Sequence, residues 1–415
     1  MKALARPRGP IAAVDVGTTK TCCFIAHAEG VQLQIVGIGH QASHGMRAGT
    51  ILDMETVTTS ITNAVDAAEK MTGERIRDVF VNVSGGQPTS RIVQVEMAVA
   101  GREIDEGDMR RLHDHGRGMV EPGDRHLLHS IPTSYVVDGN RGIRDPRGMY
   151  GEKLGVQVHT ITTSASVVRN LVLCVNKAQL EIEGLVASPF AAGLACLVED
   201  EMDLGVTVVD MGGGTTSLAV FFDGKAVFTD VVPIGGAHVT NDIARGLSTP
   251  TVHAERMKTL YGGAIGSPAD ERETIVVPQV GEDDDSQGNQ IPKSFLVDII
   301  RPRMEETFEM VRARLEASGL DKVAGRRVVL TGGASQLPGV RELAGQVLDK
   351  QVRLGRPIRI SGLAEATGGP AFSVCAGLLH YALTQRAEEP VPTRAAKSAR
   401  RGYVGRLGTW LRDNF

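Results

Sequence analysis

IAAVDVGTTK, residues 11–20, is an apolar strand that ends at Asp15 and runs into one glycine and two threonines. The pattern returns in VTVVDMGGGTT, residues 206–216, where Asp210 ends the strand and glycines follow. In both segments another apolar strand resumes after the polar residues, which predicts a β-hairpin. Glycines let the backbone approach a ligand and point N–H groups at phosphate oxygens, and a nearby carboxylate holds hydrated Mg²⁺. The two segments therefore predict two similar lobes that clamp one nucleotide.

RVVLTGGAS, residues 327–335, adds a third element, a buried strand that runs into a Gly-Gly turn and then a helix. A backbone without side chains at that turn can pack flat against a purine or a ribose. One Gly-rich hairpin also occurs in ordinary turns, but three elements in the order phosphate, phosphate, adenosine are specific for a nucleotide site. The residues that these elements offer to the nucleotide are Gly17, Thr18, Thr19, Lys20, Gly212, Gly213, Gly214, Thr215, Thr216, Gly332, Gly333 and Ala334.

This order of elements resembles the actin/Hsp70/sugar-kinase ATPase superfamily over residues 10–383, and within it the FtsA family of bacterial cell-division proteins. The resemblance implies an α/β fold: a two-lobed, actin-like (ribonuclease-H-like) ATPase with an inserted β-rich subdomain and a C-terminal amphipathic helix. The segments that carry the narrower resemblance are VPIGGAHVTNDIA (residues 232–244), AERMK (residues 254–258), Tyr261-Gly262 and the extreme C-terminus.

The same resemblance extends the expected nucleotide site. It implies that Glu255 and Lys258 lie on one face of a helix, as their i, i+3 spacing requires, and reach the ribose and the adenine. An exposed helical ion pair is the alternative for these two residues. Gly235 and Gly236 join the expected nucleotide-binding set.

ATP and Mg²⁺ are the cofactors that the resemblance implies. Asp15 and Asp210 are expected to organise the metal through water, and any catalytic role falls to them. Many relatives place Glu or Gln where Ser188 stands, and that side chain helps to position the attacking water. Because Ser188 is shorter, ATP binding with at most weak ATPase activity is expected.

Composition limits the protein to a few classes. A chain of 415 residues and 44.2 kDa is expected to form two lobes or more. A formal net charge of −4 argues against nucleic acid as the main partner. The five cysteines include no C-x-x-C pair, which favours buried free thiols. No stretch approaches the ~20 apolar residues that cross a bilayer, and no signal peptide precedes the first strand.

Residues from about 84 to 164 differ from the rest of the chain. They are charged, bear histidines and contain short alternating stretches, which predicts an inserted β-rich subdomain. An insertion before the second hairpin resembles the FtsA family more than Hsp70 or a sugar kinase. The expected division is 1–83 and 164–194 for the first lobe core, 84–163 for the insertion, 195–228 and 302–360 for the second lobe core, 229–301 for a small second-lobe subdomain, 361–383 for a helix returning to the first lobe, 384–400 for a flexible linker and 401–415 for an amphipathic helix.

The last fifteen residues predict a membrane-targeting helix. At 100° per residue, the apolar side chains fall within an arc of about 140° and arginines lie outside it. The tail is expected to bind anionic lipid weakly alone and more strongly when many tails are linked in a filament. A terminal helix that docks on the protein's own core is the alternative. The expected membrane-binding residues are Val404, Leu407, Trp410, Leu411, Phe415, Arg406 and Arg412.

The resemblance therefore implies an ATP-binding, actin-like cell-division protein that is peripheral on the cytoplasmic face of the membrane at the division site. The resemblance implies self-association into filaments, docking of the C-terminal peptide of the ring protein FtsZ in the small subdomain, and recruitment of later division proteins. Two alternatives stay open, a metabolite kinase of the same superfamily and a pilus-assembly actin-like ATPase. A chaperone of the Hsp70 type fits poorly, because only a short tail follows Tyr381.

Overall fold

The computed structural model describes residues 9–30, 32–119, 123–281 and 289–388. Residues 384–388 of the predicted linker at 384–400 belong to the last helix instead, because the helix continues five residues further than expected. The rest of that linker and the predicted helix at 401–415 lie outside this part of the chain. The strands are β1 (Ile11–Val16), β2 (Lys20–Glu29), β3 (Gln32–Ala42), β4 (Met46–Arg47), β5 (Thr50–Ile51), β6 (Asp78–Val83), β7 (Thr89–Ala98), β8 (Arg125–Val137), β9 (Asn140–Ile143), β10 (Lys153–Ser164), β11 (Glu181–Ala187), β12 (Val206–Met211), β13 (Thr216–Phe222), β14 (Lys225–Val232), β15 (Thr274–Val277), β16 (Asn289–Pro292), β17 (Arg327–Thr331), β18 (Gln351–Leu354) and β19 (Ile360–Ser361). The helices are α1 (Met54–Thr72), α2 (Glu106–Gly118), α3 (Ala165–Lys177), α4 (Ser188–Cys196), α5 (Glu199–Leu204), α6 (Gly236–Gly246), α7 (Thr251–Tyr261), α8 (Lys293–Ala317), α9 (Val340–Leu348) and α10 (Ser373–Glu388), with 3-10 helices at Gly333–Gln336, Glu365–Thr367 and Pro370–Phe372.

The first lobe is built on a six-stranded sheet in the order β11-β6-β1-β2-β3-β19. β1, β2 and β3 are antiparallel neighbours, while β6 and β11 run parallel to β1. β1 is buried along its whole length, as a central strand of apolar residues should be. α1 packs against this sheet; its N-cap Asp53 accepts hydrogen bonds from two backbone N–H groups, and Gly73 ends it in the left-handed conformation.

The second lobe repeats this arrangement. Its five-stranded sheet has the order β14-β13-β12-β17-β18, with β12 to β14 antiparallel and β17 and β18 parallel to β12. The β12–β13 hairpin therefore occupies the place that the β1–β2 hairpin has in the first lobe. The predicted α/β fold with two similar lobes is confirmed.

Two helices join the lobes. α10 lies against β1, where the Cys375 thiol contacts the Ala13 carbonyl at 3.6 Å, and it crosses α4. A Cβ atom at Gly377 of α10 would overlap the backbone of Ala191 in α4, so only glycine permits this crossing. α4 in turn packs on the second lobe, since Gly193 leaves room for the ring of Phe221. α4 therefore contacts elements of both lobes.

The segment between β6 and α3 forms a four-stranded sheet of its own, in the order β7-β10-β8-β9, with α2 packed against it. Two hydrogen bonds dock this unit on β14, the edge strand of the second lobe. His159 Nδ1 donates to the Ala226 carbonyl at 2.8 Å, and the Thr229 N–H donates to Ser90 Oγ at 3.2 Å. Its separate apolar core includes Val95, Ile104, Leu112, Leu154, Val156 and Val158.

A small unit stands beside the second sheet, formed by α6, α7, the β15–β16 hairpin and the first half of α8. None of the helices among the described residues combines the length and the hydrophobicity that a bilayer crossing requires. The five cysteines are buried free thiols, as the sequence predicted.

Candidate functional site

A cavity of about 500 Å³ opens between the two lobes, and most of the predicted site residues line it. Two of the predicted residues lie elsewhere. Thr216 is enclosed within β13, and Gly235 lies behind the second hairpin tip. The predicted residues that line the cavity are Asp15, Gly17, Thr18, Thr19, Lys20, Asp210, Gly212, Gly213, Gly214, Thr215, Gly236, Glu255, Lys258, Gly332, Gly333 and Ala334.

The two hairpin tips have the same hydrogen bonding. The Gly17 N–H donates to the Lys20 carbonyl at 3.0 Å, and the Gly212 N–H donates to the Thr215 carbonyl at 2.9 Å. A Cβ atom on Gly17 would lie 2.7 Å from the Lys20 carbonyl oxygen, so the tight turn requires glycine there. The residues inside each turn, Thr18, Thr19, Gly213 and Gly214, line the cavity.

The tips face each other across the cavity. A Cβ atom on Gly214 would lie 2.5 Å from Thr18 Oγ1, and one on Gly213 would overlap the Thr19 side chain. Glycine in the second tip therefore allows the threonines of the first tip to approach. The lobes are closed on one another at this point.

Backbone from α6 supports the second tip from behind. The Gly236 N–H donates to the Gly212 carbonyl at 2.9 Å, and the Ala237 N–H donates to the Gly213 carbonyl at 2.8 Å. A Cβ atom on Gly235 would lie 2.6 Å from the Gly212 carbonyl oxygen. Gly235 thus leaves room for the tip to approach the start of α6, and it does not line the cavity itself.

Asp15 and Asp210 are the penultimate residues of β1 and β12, each with 8% of its surface exposed. Burial raises the pKa of Asp15 to about 6, and the neighbouring Lys20 ammonium opposes this rise. Burial and the negative charge of Asp15 raise the pKa of Asp210 to about 7. Two buried carboxylates that repel each other favour a cation between or beside them.

Lys20 is held at the first-lobe side of the cavity. Its Nζ donates to the Ala371 carbonyl at 2.5 Å and lies 3.4 Å from the centre of the Phe372 ring. The ammonium therefore rests on the 3-10 helix before α10, in a cation–π contact that the sequence did not predict.

Glu255 and Lys258 both line the cavity and pair with each other. Lys258 Nζ lies 2.7 Å from Glu255 Oε2 and donates to Thr240 Oγ1 at 2.8 Å, and the Thr240 hydroxyl also donates to the Glu255 carboxylate. The ion pair that was the alternative explanation is present, and both of its side chains line the cavity. Both descriptions fit the same two side chains.

Several lining residues escaped the sequence analysis. Asn82 is the penultimate residue of β6, and its only sequence signal is a polar side chain between two valines near the end of the strand. The others have no side-chain signal of their own, although some lie within or beside the glycine-rich segments at 232–244 and 327–335. They are Ser84, Ala237, Val239, Thr259, Met304, Gln336, Leu337, Pro338, Pro370, Ala371 and Val374.

Comparison with known proteins gives consistent results for the whole chain. The family model "Cell division protein FtsA" matches residues 207–377, and the model "SHS2 domain inserted in FTSA" matches residues 85–162. The cell division protein FtsA of Agrobacterium fabrum (strain C58) is 42% identical over 434 residues, which cover 100% of this chain and 97% of that protein.

Two solved structures share the fold at low sequence identity. A type IV pilus biogenesis complex, PilM–PilN, matches with a TM-score of 0.64 and 19% identity over 92% of this chain and 100% of that one. MreB5 of Spiroplasma citri bound to ADP matches with a TM-score of 0.55 and 12% identity over 91% and 97%. The two lobes thus have the actin-like fold that the sequence predicted.

Proposed function

This chain belongs to the FtsA family of cell division proteins, and from that premise we propose that it binds ATP and anchors FtsZ filaments to the cytoplasmic face of the membrane at the division site. One observation supports the nucleotide part most strongly. Two hairpin tips with the same turn close on one cavity, and a buried carboxylate lies behind each. Two glycine-lined turns that converge in this way suit a chain of phosphates.

The carboxylates at the cavity suit Mg²⁺ that arrives with the nucleotide. Mg²⁺ is commonly held by one or two carboxylates together with phosphate oxygens and water. Asp15 and Asp210 supply two carboxylates, and the described residues contain no cluster of three or more His, Cys, Asp or Glu suited to a metal. We therefore propose that these two side chains hold the ion through water. When bound, the ion neutralises phosphate charge.

The remaining contacts divide between the lobes. We propose that the N–H groups of the two tips bind the phosphates, and that Glu255, Lys258 and the turn at Gly332 and Gly333 contact the adenosine. The similar fold of MreB5, which was solved with ADP, supports a nucleotide in this cleft. Weak ATPase activity at most is proposed, because Ser188 lines the cavity where a longer side chain would be needed to orient water.

Magnesium–ATP binding is expected to weaken as the pH is lowered from 8 to 5.5. Asp210 and Asp15 take up protons as the pH falls through about 7 and about 6, and a neutral carboxyl no longer attracts the cation. The stability of the ligand-free protein changes with pH in the opposite direction. Because both carboxyl pKa values are raised in the folded state, proton binding stabilises the fold fully at a pH below 3.8, the ordinary pKa of aspartate. This stabilisation is lost as the pH rises through the folded-state pKa values of about 6 and about 7.

Calorimetry with ATP and Mg²⁺ at both pH values, beside thermal melts without ligand, measures the two effects separately. The proposal requires the affinity to fall at low pH while the carboxyl contribution to stability grows. An affinity that is the same at pH 8 and pH 5.5 would contradict a role for these two carboxylates.

The small unit beside the second lobe is proposed as the site for the FtsZ peptide. Apolar side chains stand exposed on its helices, among them Val252 (79% exposed), Leu260 (58%) and Phe295 (48%). Exposed apolar side chains grouped on one unit mark a surface for another protein. We further propose that the chain assembles into filaments and that the inserted four-stranded unit meets later division proteins.

The C-terminal residues 401–415 are proposed as the membrane anchor. Trp410→Asp is expected to reduce sedimentation of the full chain with anionic vesicles to background, because it places a charge on the apolar face of the predicted helix. Thr409→Asp is the matched control, since it adds the same charge on the polar face and should retain most of the binding.

Adding FtsZ filaments to the vesicle assay tests the anchoring function itself. FtsZ should sediment with vesicles when the full chain is present and remain in solution with the chain truncated after residue 400. Anchoring by the truncated chain, or equal losses in Trp410→Asp and Thr409→Asp, would contradict the proposed anchor.

A further inference from the structure

The side chain of Asn82 accepts a backbone hydrogen bond from β1, where the pairing of β1 with β6 has ended. The parallel pairing of β1 with β6 ends at Val14, which pairs with Val81. Two residues further on, the Val16 N–H donates to Asn82 Oδ1 at 2.7 Å instead of to a strand carbonyl. Asn82 is only 3% exposed. Because Val16 immediately precedes Gly17, this side chain fixes the point at which the first tip leaves the sheet.

The same amide reaches the neighbouring strand. Asn82 Nδ2 donates to Ser188 Oγ at 3.1 Å, and Ser188 is the first residue of α4, directly after β11. β1, β6 and β11 are adjacent and parallel, so their carboxyl ends meet at one edge of the first-lobe sheet. One side chain therefore ties the first tip to the helix that joins the lobes.

Because Ser188 Oγ accepts the bond from Asn82, the hydroxyl proton of Ser188 is left to donate to a ligand. Ser188 is 1% exposed and lines the cavity, and its oxygen accepts the bond from Asn82. Among the hydrogen bonds of the described residues, the Ser188 hydroxyl is never the donor. A buried hydroxyl proton normally has an acceptor, and the cavity is the space in which a ligand oxygen can supply one.

The position of this donor indicates which ligand oxygen it meets. Glu255, Lys258 and Gly333, the proposed adenosine contacts, all belong to the second lobe, whereas Asn82 and Ser188 belong to the first. A nucleotide that spans the cavity therefore directs its phosphates from the second lobe toward the first. The terminal phosphate of a triphosphate in that orientation would lie on the side of the cavity that Asn82 and Ser188 line.

We propose that Ser188 donates a hydrogen bond to the terminal phosphate of a bound nucleoside triphosphate, and that Asn82 is the positioning residue that holds Ser188 and the first hairpin tip for this contact. The inference rests on the proposed nucleotide function. A diphosphate lacks the acceptor, so the pair favours triphosphate over diphosphate. Because Ser188 begins α4, the same contact links the state of the nucleotide to the helix between the lobes.

Calorimetric titrations with Mg²⁺ and either AMPPNP or ADP test the role of Ser188. Ser188→Ala is expected to weaken AMPPNP binding about tenfold, the effect of one hydrogen bond to a charged group, and to leave ADP binding within about twofold. Ser188→Thr keeps the hydroxyl and should restore most of the preference. Ser294→Ala, at a serine of α8 that does not line the cavity, serves as the matched control and should change neither affinity.

Asn82→Ala tests positioning in the same titrations. If Asn82 acts through Ser188, the double variant should lose no more preference for AMPPNP than Asn82→Ala alone, and the exposed Asn176→Ala should lose none. Should Asn82→Ala fail to fold in a thermal melt, the Ser188 variants decide alone. Equal losses for AMPPNP and ADP, or unchanged affinities in Ser188→Ala, would overturn the inference and leave nucleotide binding intact. A folded wild-type chain that binds neither compound would overturn the proposed function as well.

Discussion

Asp210→Asn is expected to weaken magnesium-dependent ATP binding by about 10- to 100-fold, the usual effect of removing a group that orients a metal's surroundings. The same substitution is expected to raise the melting temperature of the ligand-free protein by roughly 2–4 °C. Opposite effects on function and stability follow from one cause. Burial and the charge of Asp15 raise the pKa of Asp210, so its ionised form is unfavourable in the empty cleft, and the neutral amide avoids that cost.

Asp298→Asn provides the matched control for this experiment. Asp298 is an exposed residue of α8 that does not line the cavity, so its substitution should change neither the affinity nor the melting temperature. Calorimetry and thermal melts of both variants at pH 7.5 give the comparison. If Asp210→Asn bound magnesium–ATP as tightly as wild type, the assignment of the buried carboxylate pair would be wrong.

Gly332→Ala is expected to abolish nucleotide binding and to destabilise the fold by about 1–3 kcal/mol. Gly332 has φ +84°, a conformation that strains any residue with a Cβ atom. The new Cβ atom would also lie 2.5 Å from Asp210 Oδ1 and 2.5 Å from the Met211 carbonyl oxygen. The third glycine-rich turn must therefore shift away from the carboxylate, and the cavity between them changes shape.

Gly319→Ala separates these two effects. Gly319 also has positive φ, at +69°, but a Cβ atom there meets nothing within 4 Å. It should cost about 1 kcal/mol of stability from backbone strain and leave ATP binding unchanged. Binding titrations and denaturant unfolding of both variants isolate the close approach at Gly332. Retained ATP affinity in a folded Gly332→Ala protein would show that this turn does not shape the site.

The parts of the site that the sequence predicted are those with a local signal. Each hairpin tip follows from a few consecutive residues, an apolar run that ends at an aspartate and then turns on glycine. The same few residues specify both the turn and the polar groups at its tip, so the tips at residues 17–20 and 212–215 line the cavity as the pattern predicted. The repeated pattern also predicted two similar lobes, because a hairpin of this kind needs a sheet behind it.

The contacts that the sequence could not predict join distant segments. Asn82 bonds to residues 66 and 106 positions away, and Lys20 bonds to Ala371, 351 positions away. The residues next to Asn82 and Lys20 in the sequence do not indicate these contacts, because the contacts depend on how the strands and lobes pack. Gly235 shows the converse, since its motif predicted a ligand contact, whereas in the structure it does not line the cavity and only leaves room for the second tip to approach α6.

Docking of the inserted unit is equally non-local. Its alternating strands were predicted from the sequence, but the bond from His159 to Ala226 depends on the position of β14, the edge strand of the other lobe. His159 is buried, and burial lowers its pKa to about 4, so the ring stays neutral at this junction. A single histidine in an alternating stretch gives no indication of that partner.

Isothermal titration of the folded, full-length chain with ATP, in the presence and absence of Mg²⁺, tests the central claim most directly. The closed hairpin tips and the two buried carboxylates predict one site per chain, with an affinity that falls sharply when Mg²⁺ is removed. A chain that melts cooperatively yet takes up no ATP with or without Mg²⁺ would contradict the claim that the cleft between the lobes is a nucleotide site.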